Sequence, residues 1–110
     1  MLVLGLDPGL AITGYGLVEG DGQKLTPIAY GVIRTPAKIP TADRLLQIHK
    51  GITSLLDEYH PDATAVEELF FSANARTAIV VGEARGVLLL TLCQAGLEVN
   101  EYTPLQIKQA

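Results

Sequence analysis

A single cysteine, Cys93, stands in the 110 residues, so the chain can build no internal disulfide framework and no multi-cysteine metal site. Unpaired thiol chemistry suits a reducing, cytoplasmic setting. Cys93 falls inside an apolar helical pattern, where a small buried core residue is expected rather than a nucleophile. The two histidines, His49 in mid-helix and His60 at a helix end, have no second ligand at zinc spacing. Long apolar runs are also missing: the longest patch, residues 87–92, is too short for a bilayer, and no membrane association is expected. Met1-Leu2-Val3 carries no basic n-region and runs straight into Asp7, so no signal peptide is expected. Lys24, Arg34, Lys38, Arg44, Lys50, Arg76, Arg85 and Lys108 are scattered without a cationic run, and the net charge is -4. That balance argues against a strongly electrostatic nucleic-acid binder. There is no internal repeat and no low-complexity stretch. With 48% apolar and 18% charged residues, what remains is one soluble globular domain with a single core.

The chemistry concentrates at the start. The stretch VLGLDPGLAITGYG places Asp7 where an apolar strand ends in a Pro-Gly turn. In open sheets with parallel strands, ligands bind beyond the strands' carboxyl ends. Asp-Pro-Gly is also ordinary turn chemistry, so Asp7 alone is either a turn residue or a ligand holder. A second acid at a second strand end, Glu67 in ATAVEELF, strengthens the functional reading.

The element order supports a mixed sheet. Residues 2–6 read as a strand buried on both faces. Residues 13–18 and 26–34 complete a meander around the Glu-Gly-Asp-Gly turn at 19–22, with Pro27 at the start of its strand. Gly20 and Gly22 belong to that turn and not to a phosphate loop. A helix begins near Thr41 as N-cap, shows one apolar face through Leu45, Ile48, Ile52, Leu55, Leu56 and Tyr59, and stops at Pro61. Residues 63–69 form a strand, Asn74 caps a helix reaching about Ala95 with Gly96 as its stop, and residues 97–102 form a fifth strand. Thr103-Pro104-Leu105-Gln106 then opens a helix that the chain leaves after about one turn, as expected of a fragment of a longer protein. A right-handed crossover lays the fourth strand parallel to the first. If the two are neighbours about 4.8 Å apart, Asp7 and Glu67 sit side by side. Two carboxylates so close repel unless a proton or cation lies between them, and such oxygen donors suit magnesium. Paired acids are the starting parts of a two-metal phosphodiester hydrolase, with ions roughly 3.5–4 Å apart, although two carboxylates are too few for both ions.

Together, GLDPGLAITGYG, ADRLLQIHKGI, HPDATAVEELFF, NARTAIVVGEARGV and EYTPLQIKQA resemble, in order and over essentially the whole chain, the RuvC family of bacterial Holliday-junction resolvases. The resemblance implies an α/β, RNase H-like fold: a five-stranded mixed sheet, antiparallel meander plus parallel crossover strands, flanked by helices. It further implies magnesium-dependent nicking of two opposed strands of four-way junction DNA by a homodimer with two Mg2+ ions per site, and cytoplasmic partnership with the RuvA–RuvB branch-migration complex. Asp7 takes the place of the first catalytic, metal-holding acid and Glu67 that of the second. The family chain continues into a helix with further acidic ligands, commonly Asp-Ala-Ala-Asp. Residues 1–110 are therefore expected to be a single nuclease domain truncated at its C-terminus and inactive alone.

Alternation puts Glu67 and Glu68 on opposite faces, and the resemblance favours Glu67, with Glu68 a solvated neighbour. Phe70 matches a family aromatic that stacks on an unpaired junction base, while Phe71 is expected to tuck into the core. Lys108 matches a lysine near the DNA backbone, against the ordinary reading of a solvated surface lysine. The second helix is apolar nearly all round, and Ala75, Ala78, Gly82 and Gly86 form a small-residue stripe. Packing on the sheet uses one face, and a two-fold partner presenting the same helix would cover the other, with Ala78, Gly82 and Gly86 at the interface. Glu83, Arg85 and Arg76 are expected as rim charges or intersubunit pairs. Two other readings stay open: a catalytically incomplete junction-binding module, and a fragment of an actin-like or sugar-kinase-like ATPase. The latter shares the fold core and an Asp-x-Gly first hairpin but needs two copies of that core to enclose a nucleotide.

Overall fold

The computed structural model describes residues 1–21, 23–67 and 75–102. Along the chain run β1 (Leu2–Asp7), β2 (Ile12–Asp21), β3 (Lys24–Arg34), α1 (Thr41–Tyr59), β4 (Ala63–Glu67), α2 (Ala75–Gln94) and β5 (Val99–Tyr102). The strands form one sheet in the order β3-β2-β1-β4-β5. The β1–β2 and β2–β3 pairs are antiparallel, whereas β4 lies parallel to both β1 and β5. This is the expected five-stranded mixed sheet, an antiparallel meander continued by two parallel crossover strands.

Register decides which side chains meet. Leu4 pairs with Leu17 and Thr64, and Leu6 with Tyr15 and Val66, so these residues share the face against the helices. Leu4, Leu17, Val66, Ile48, Ile52, Leu88 and Leu92 are fully buried there and form the centre of the core. The residues between them, Val3, Gly5 and Asp7 on β1, turn to the opposite face. Among the described residues nothing covers that face, and Val3 and Gly5 are half-buried on it. Ile28, Tyr30 and Val32 of β3 stand exposed on the same open face, Tyr30 at 87%. β2 and β3 are longer than their apolar cores. Pro27 therefore lies within β3, which is an edge strand, where it pairs with Val18 beside a β-bulge.

On α1, Ile48, Ile52 and Leu56 are buried, and Leu45, Leu55 and Tyr59 pack partly buried around them, as the spacing predicted. The N-cap is Pro40 and not Thr41, and no side chain caps the helix; Thr41 is its first residue. A proline there fits because its missing N–H would be unpaired in any case. His60 closes α1 in the left-handed region, donating its N–H to Leu56 O at 3.0 Å. Gly96 ends α2 with φ +77, a conformation other residues adopt only with strain. α2 is long and apolar enough, by length and composition, to cross a membrane, a property the six-residue patch did not convey. Here Ala84, Leu88, Thr91 and Leu92 are buried in the core.

Two expectations for α2 are corrected. Cys93 is exposed, because it sits on the face turned away from Ala84 and Leu88. Arg85, expected as a rim charge or intersubunit pair, turns toward the sheet and forms its ion pair within the chain, with Glu101 of β5. The proposed Asn74 cap, the end of the 63–69 strand and the helix opening at Thr103 lie outside the described residues.

Candidate active site

Asp7 and Glu67 are brought together by the parallel pairing of β1 and β4. Leu6 pairs with Val66 in that ladder, so the next step places Asp7 beside Glu67. Both residues end their strands at the carboxyl edge, and both belong to the open face, since Gly5 and Ala65, two residues back in each strand, form a pair. The alternation that puts Val66 in the core puts Glu67 on Asp7's side.

The turn after Asp7 is tightly held. A Cβ at Gly9 would collide with Ile12 O, so only glycine fits where the backbone folds back on itself. Thr13 Oγ1 donates to Gly9 O at 2.6 Å, and Thr35 Oγ1 donates to Leu10 O at 2.6 Å. The Thr35 N–H also bonds Ala11 O at 3.0 Å. The Asp7 turn is thereby fastened to both β2 and the end of β3.

Electrostatics couple the two acids. Burial raises the Glu67 carboxyl above the usual range, and the Asp7 charge and a hydrogen bond to Asp7 raise it further. A protonated Glu67 O–H donating to Asp7 is the arrangement that relieves two neighbouring negative charges without a cation.

Beside the acids runs an open groove of about 450 Å³, lined by Gly5, Gly14, Gly16, Ala65, Asp7 and Glu67 with neighbouring backbone. Its floor is nearly bare of side chains. An added Cβ at Gly16 would meet nothing within 4 Å, and one at Gly14 would lie 3.5 Å from Asp7 Cβ. These glycines keep the approach to the carboxylates clear. A signal for this floor lies in the sequence beyond the acids themselves: in TGYG, Gly14 and Gly16 alternate with Thr13 and Tyr15, so both glycines fall on Asp7's face.

The donor set fits a hard divalent cation. Asp7 and Glu67 offer oxygen ligands only, and magnesium is commonly held by one or two carboxylates with water and phosphate completing the shell. Among the described residues no third acid, histidine or cysteine joins them. Ala78 is half-buried and Gly82 and Gly86 lie exposed on α2, and none of the three lines the groove beside the acids. Glu68, Phe70, Phe71 and Lys108 lie outside the described residues.

Comparison with known proteins agrees with this geometry. The sequence profile of Crossover junction endodeoxyribonuclease RuvC matches residues 3–110. The chain is 54% identical over 110 residues to the protein of that name from Halothermothrix orenii, covering 100% of this chain and 67% of the relative. Identity to the Desulfitobacterium hafniense protein is 56% with the same coverages. The solved structure of T. thermophilus RuvC in complex with Holliday junction substrate superposes with a TM-score of 0.92 at 35% identity, over 99% of this chain and 70% of that one. With its sheet order, its paired strand-end acids and these relatives in agreement, the chain belongs to the RuvC family of crossover junction endodeoxyribonucleases.

Proposed function

We propose that residues 1–110 form the nuclease domain of a cytoplasmic enzyme that resolves four-way DNA junctions by magnesium-dependent hydrolysis of two opposed phosphodiesters. The observation that carries this reading is the juxtaposition of Asp7 and Glu67 on the open sheet face, beside a groove floored by glycine. A T. thermophilus relative captured with junction substrate supplies the substrate class.

The residues divide the work by position. Asp7 and Glu67 would hold magnesium, which when bound supplies charge neutralisation at the phosphodiester and a more acidic water. Burial and the neighbouring Asp7 charge favour a proton on Glu67, and a cation held between the two carboxylates would take over that neutralising role. The Gly9 turn and Thr13 fix Asp7, and the bare floor admits a sugar-phosphate backbone close to the acids. Phe70 stacks on an unpaired junction base, worth about 1–3 kcal/mol, and Lys108 contacts the backbone. The functional unit is a two-fold dimer through α2, with Ala78, Gly82 and Gly86 at the contact, and RuvA–RuvB is its branch-migration partner.

The test is cleavage of a synthetic four-way junction by the full gene product in magnesium. Asp7→Asn and Glu67→Gln should each abolish nicking while junction binding, followed by gel shift, persists. Cleavage by either variant at the wild-type rate would remove that acid from the site.

A second reading rests on a specific observation. Only two carboxylates meet among the described residues, fewer than two ions need. On that reading the site made by the described residues is catalytically incomplete, and the domain binds junctions without cutting them.

A further inference from the structure

We propose that Arg44, on the helix side, and Arg34, on the open face, straddle the carboxyl edge of the sheet and each contact a phosphate of the DNA strand on the β3 side of the catalytic acids, with Thr35 as the residue that positions Arg44. This inference rests on the junction-nuclease reading and adds to it a place where the DNA backbone is held.

A short chain of hydrogen bonds links this site to the acids. The turn that follows Asp7 presents Leu10 O, which accepts the Thr35 hydroxyl proton at 2.6 Å. The same hydroxyl oxygen accepts from Arg44 Nε at 2.9 Å. Thr35 is buried, and its hydroxyl is used once as donor and once as acceptor. It therefore fixes one edge of the guanidinium relative to the Asp7 turn. The terminal nitrogens of Arg44 have no acceptor among the described residues and are not buried without a partner, so they remain open to solvent. Asp43 is adjacent in sequence and exposed, yet no ion pair joins the two.

Arg34 approaches from the sheet. It pairs with Ile12, two residues beyond the Gly14–Val32 pair, and Asp7 pairs with Gly14. Arg34 therefore shares the open face with Asp7, displaced by two strands and two residues toward the carboxyl edge. Strand spacing and rise put the two Cα atoms roughly 12 Å apart. An arginine side chain and a step or two of nucleic-acid backbone span that distance. Arg34 is exposed and forms no side-chain bond or ion pair with a described residue. Thr35, the next residue, turns to the helix side, so Arg44 lies across the sheet edge from Arg34. Each unneutralised guanidinium, one of them pre-oriented, suits bidentate binding of its own phosphate as the backbone passes over that edge. Lys38, exposed in the turn between them, adds charge to the same edge.

The test uses the full gene product and a labelled four-way junction without divalent metal, with binding followed by fluorescence anisotropy across a salt series. Removing one phosphate-binding cation should lower the slope of log Kd against log salt by about one. Arg44→Ala and Arg34→Ala should each show that decrease together with severalfold weaker binding. Arg44→Lys keeps the charge and should retain the slope while losing affinity. Thr35→Val removes only the hydroxyl and should likewise weaken binding with the slope intact, and it should have little further effect in the Arg44→Ala background. Unchanged slopes in both alanine variants of a protein that still prefers the junction overturn the phosphate site and leave the junction reading standing. So does weakened binding explained by a lower Tm with the slope unaltered. A wild-type protein that binds junction no better than linear duplex sinks the junction reading, while the slopes on duplex still report on the two arginines. Wild-type protein that binds no DNA overturns both.

Discussion

At the scale of single residues, the sharpest consequence of the site concerns Glu67. Its carboxyl is raised by burial first and by Asp7 second, so the native state holds its proton more tightly than the unfolded chain does. Where the native state binds more protons, stability falls as pH rises. Glu67's contribution is thus fully present below the ordinary glutamate value and is lost as pH climbs through its raised native value. In metal-free protein, Glu67→Gln should unfold at a higher temperature than wild type near neutrality and at the same temperature in acid. Thermal denaturation in chelator across that range checks both halves, and added magnesium should stabilise wild type more than the variant. Gly9 gives a second residue-scale outcome. Gly9→Ala drives a Cβ against Ile12 O, and backbone there cannot yield as a flexible side chain could. A loss of about 1–3 kcal/mol in chemical denaturation is expected, accompanied by loss of cleavage as the Asp7 turn shifts. Both acids are legible in the sequence because a polar residue ending an apolar strand has few places to point. Thr35 and Arg44 are not, because their partnership joins two segments that only the folded sheet brings together.

For the elements, legibility follows periodicity. α1 shows one apolar stripe, and its buried set lies where that stripe does. α2 is apolar nearly all round, so sequence can place the helix but cannot say which side is core. That is why Cys93, expected inside, is found outside, and why Arg85, expected at a rim, reaches back to Glu101. Strand ends also outrun their apolar centres, since ladder hydrogen bonds extend through polar residues such as Glu19 and Asp21. The structure leaves Ile79 at 64% and Leu90 at 58% exposure on α2, alongside exposed Gly82 and Gly86. An added Cβ at either glycine meets nothing within 4 Å, so a larger side chain there leaves the monomer's own packing intact. Gly86→Glu is therefore a clean probe of the proposed dimer. It should sediment as a monomer with near-native circular dichroism, whereas a dimer undisturbed by the change would place the two-fold contact elsewhere.

Across the whole molecule, net charge is a poor guide, because a total of -4 says nothing about where the cations lie. Arg34 ends β3, Lys38 follows it and Arg44 bonds Thr35, so the proposed DNA path along that edge would meet a local field that differs from the average. The sheet order is readable because a meander followed by helix and strand leaves few right-handed arrangements. Catalytic completeness is a property of a larger assembly than two acids. The curated relatives are longer, with this chain covering 67% of the Halothermothrix orenii protein, and the two carboxylates that meet among the described residues are fewer than the proposed pair of magnesium ions needs. Phosphodiester hydrolysis depends on donors and charges fixed in advance around the transition state, so partial coordination forfeits far more than a proportional share of rate. The 110-residue chain should consequently show no symmetric nicking of a four-way junction above background in magnesium, under conditions where the full gene product cuts. Supplying the remaining segment in trans is a stringent form of the same measurement, since restored cutting that disappears again with Asp7→Asn would assign the missing ligands to that segment. A purified 110-residue chain that resolves the junction unaided, and loses that activity with Asp7→Asn, would show instead that Asp7 and Glu67 recruit enough ligands from water, phosphate and the rest of the chain to work alone.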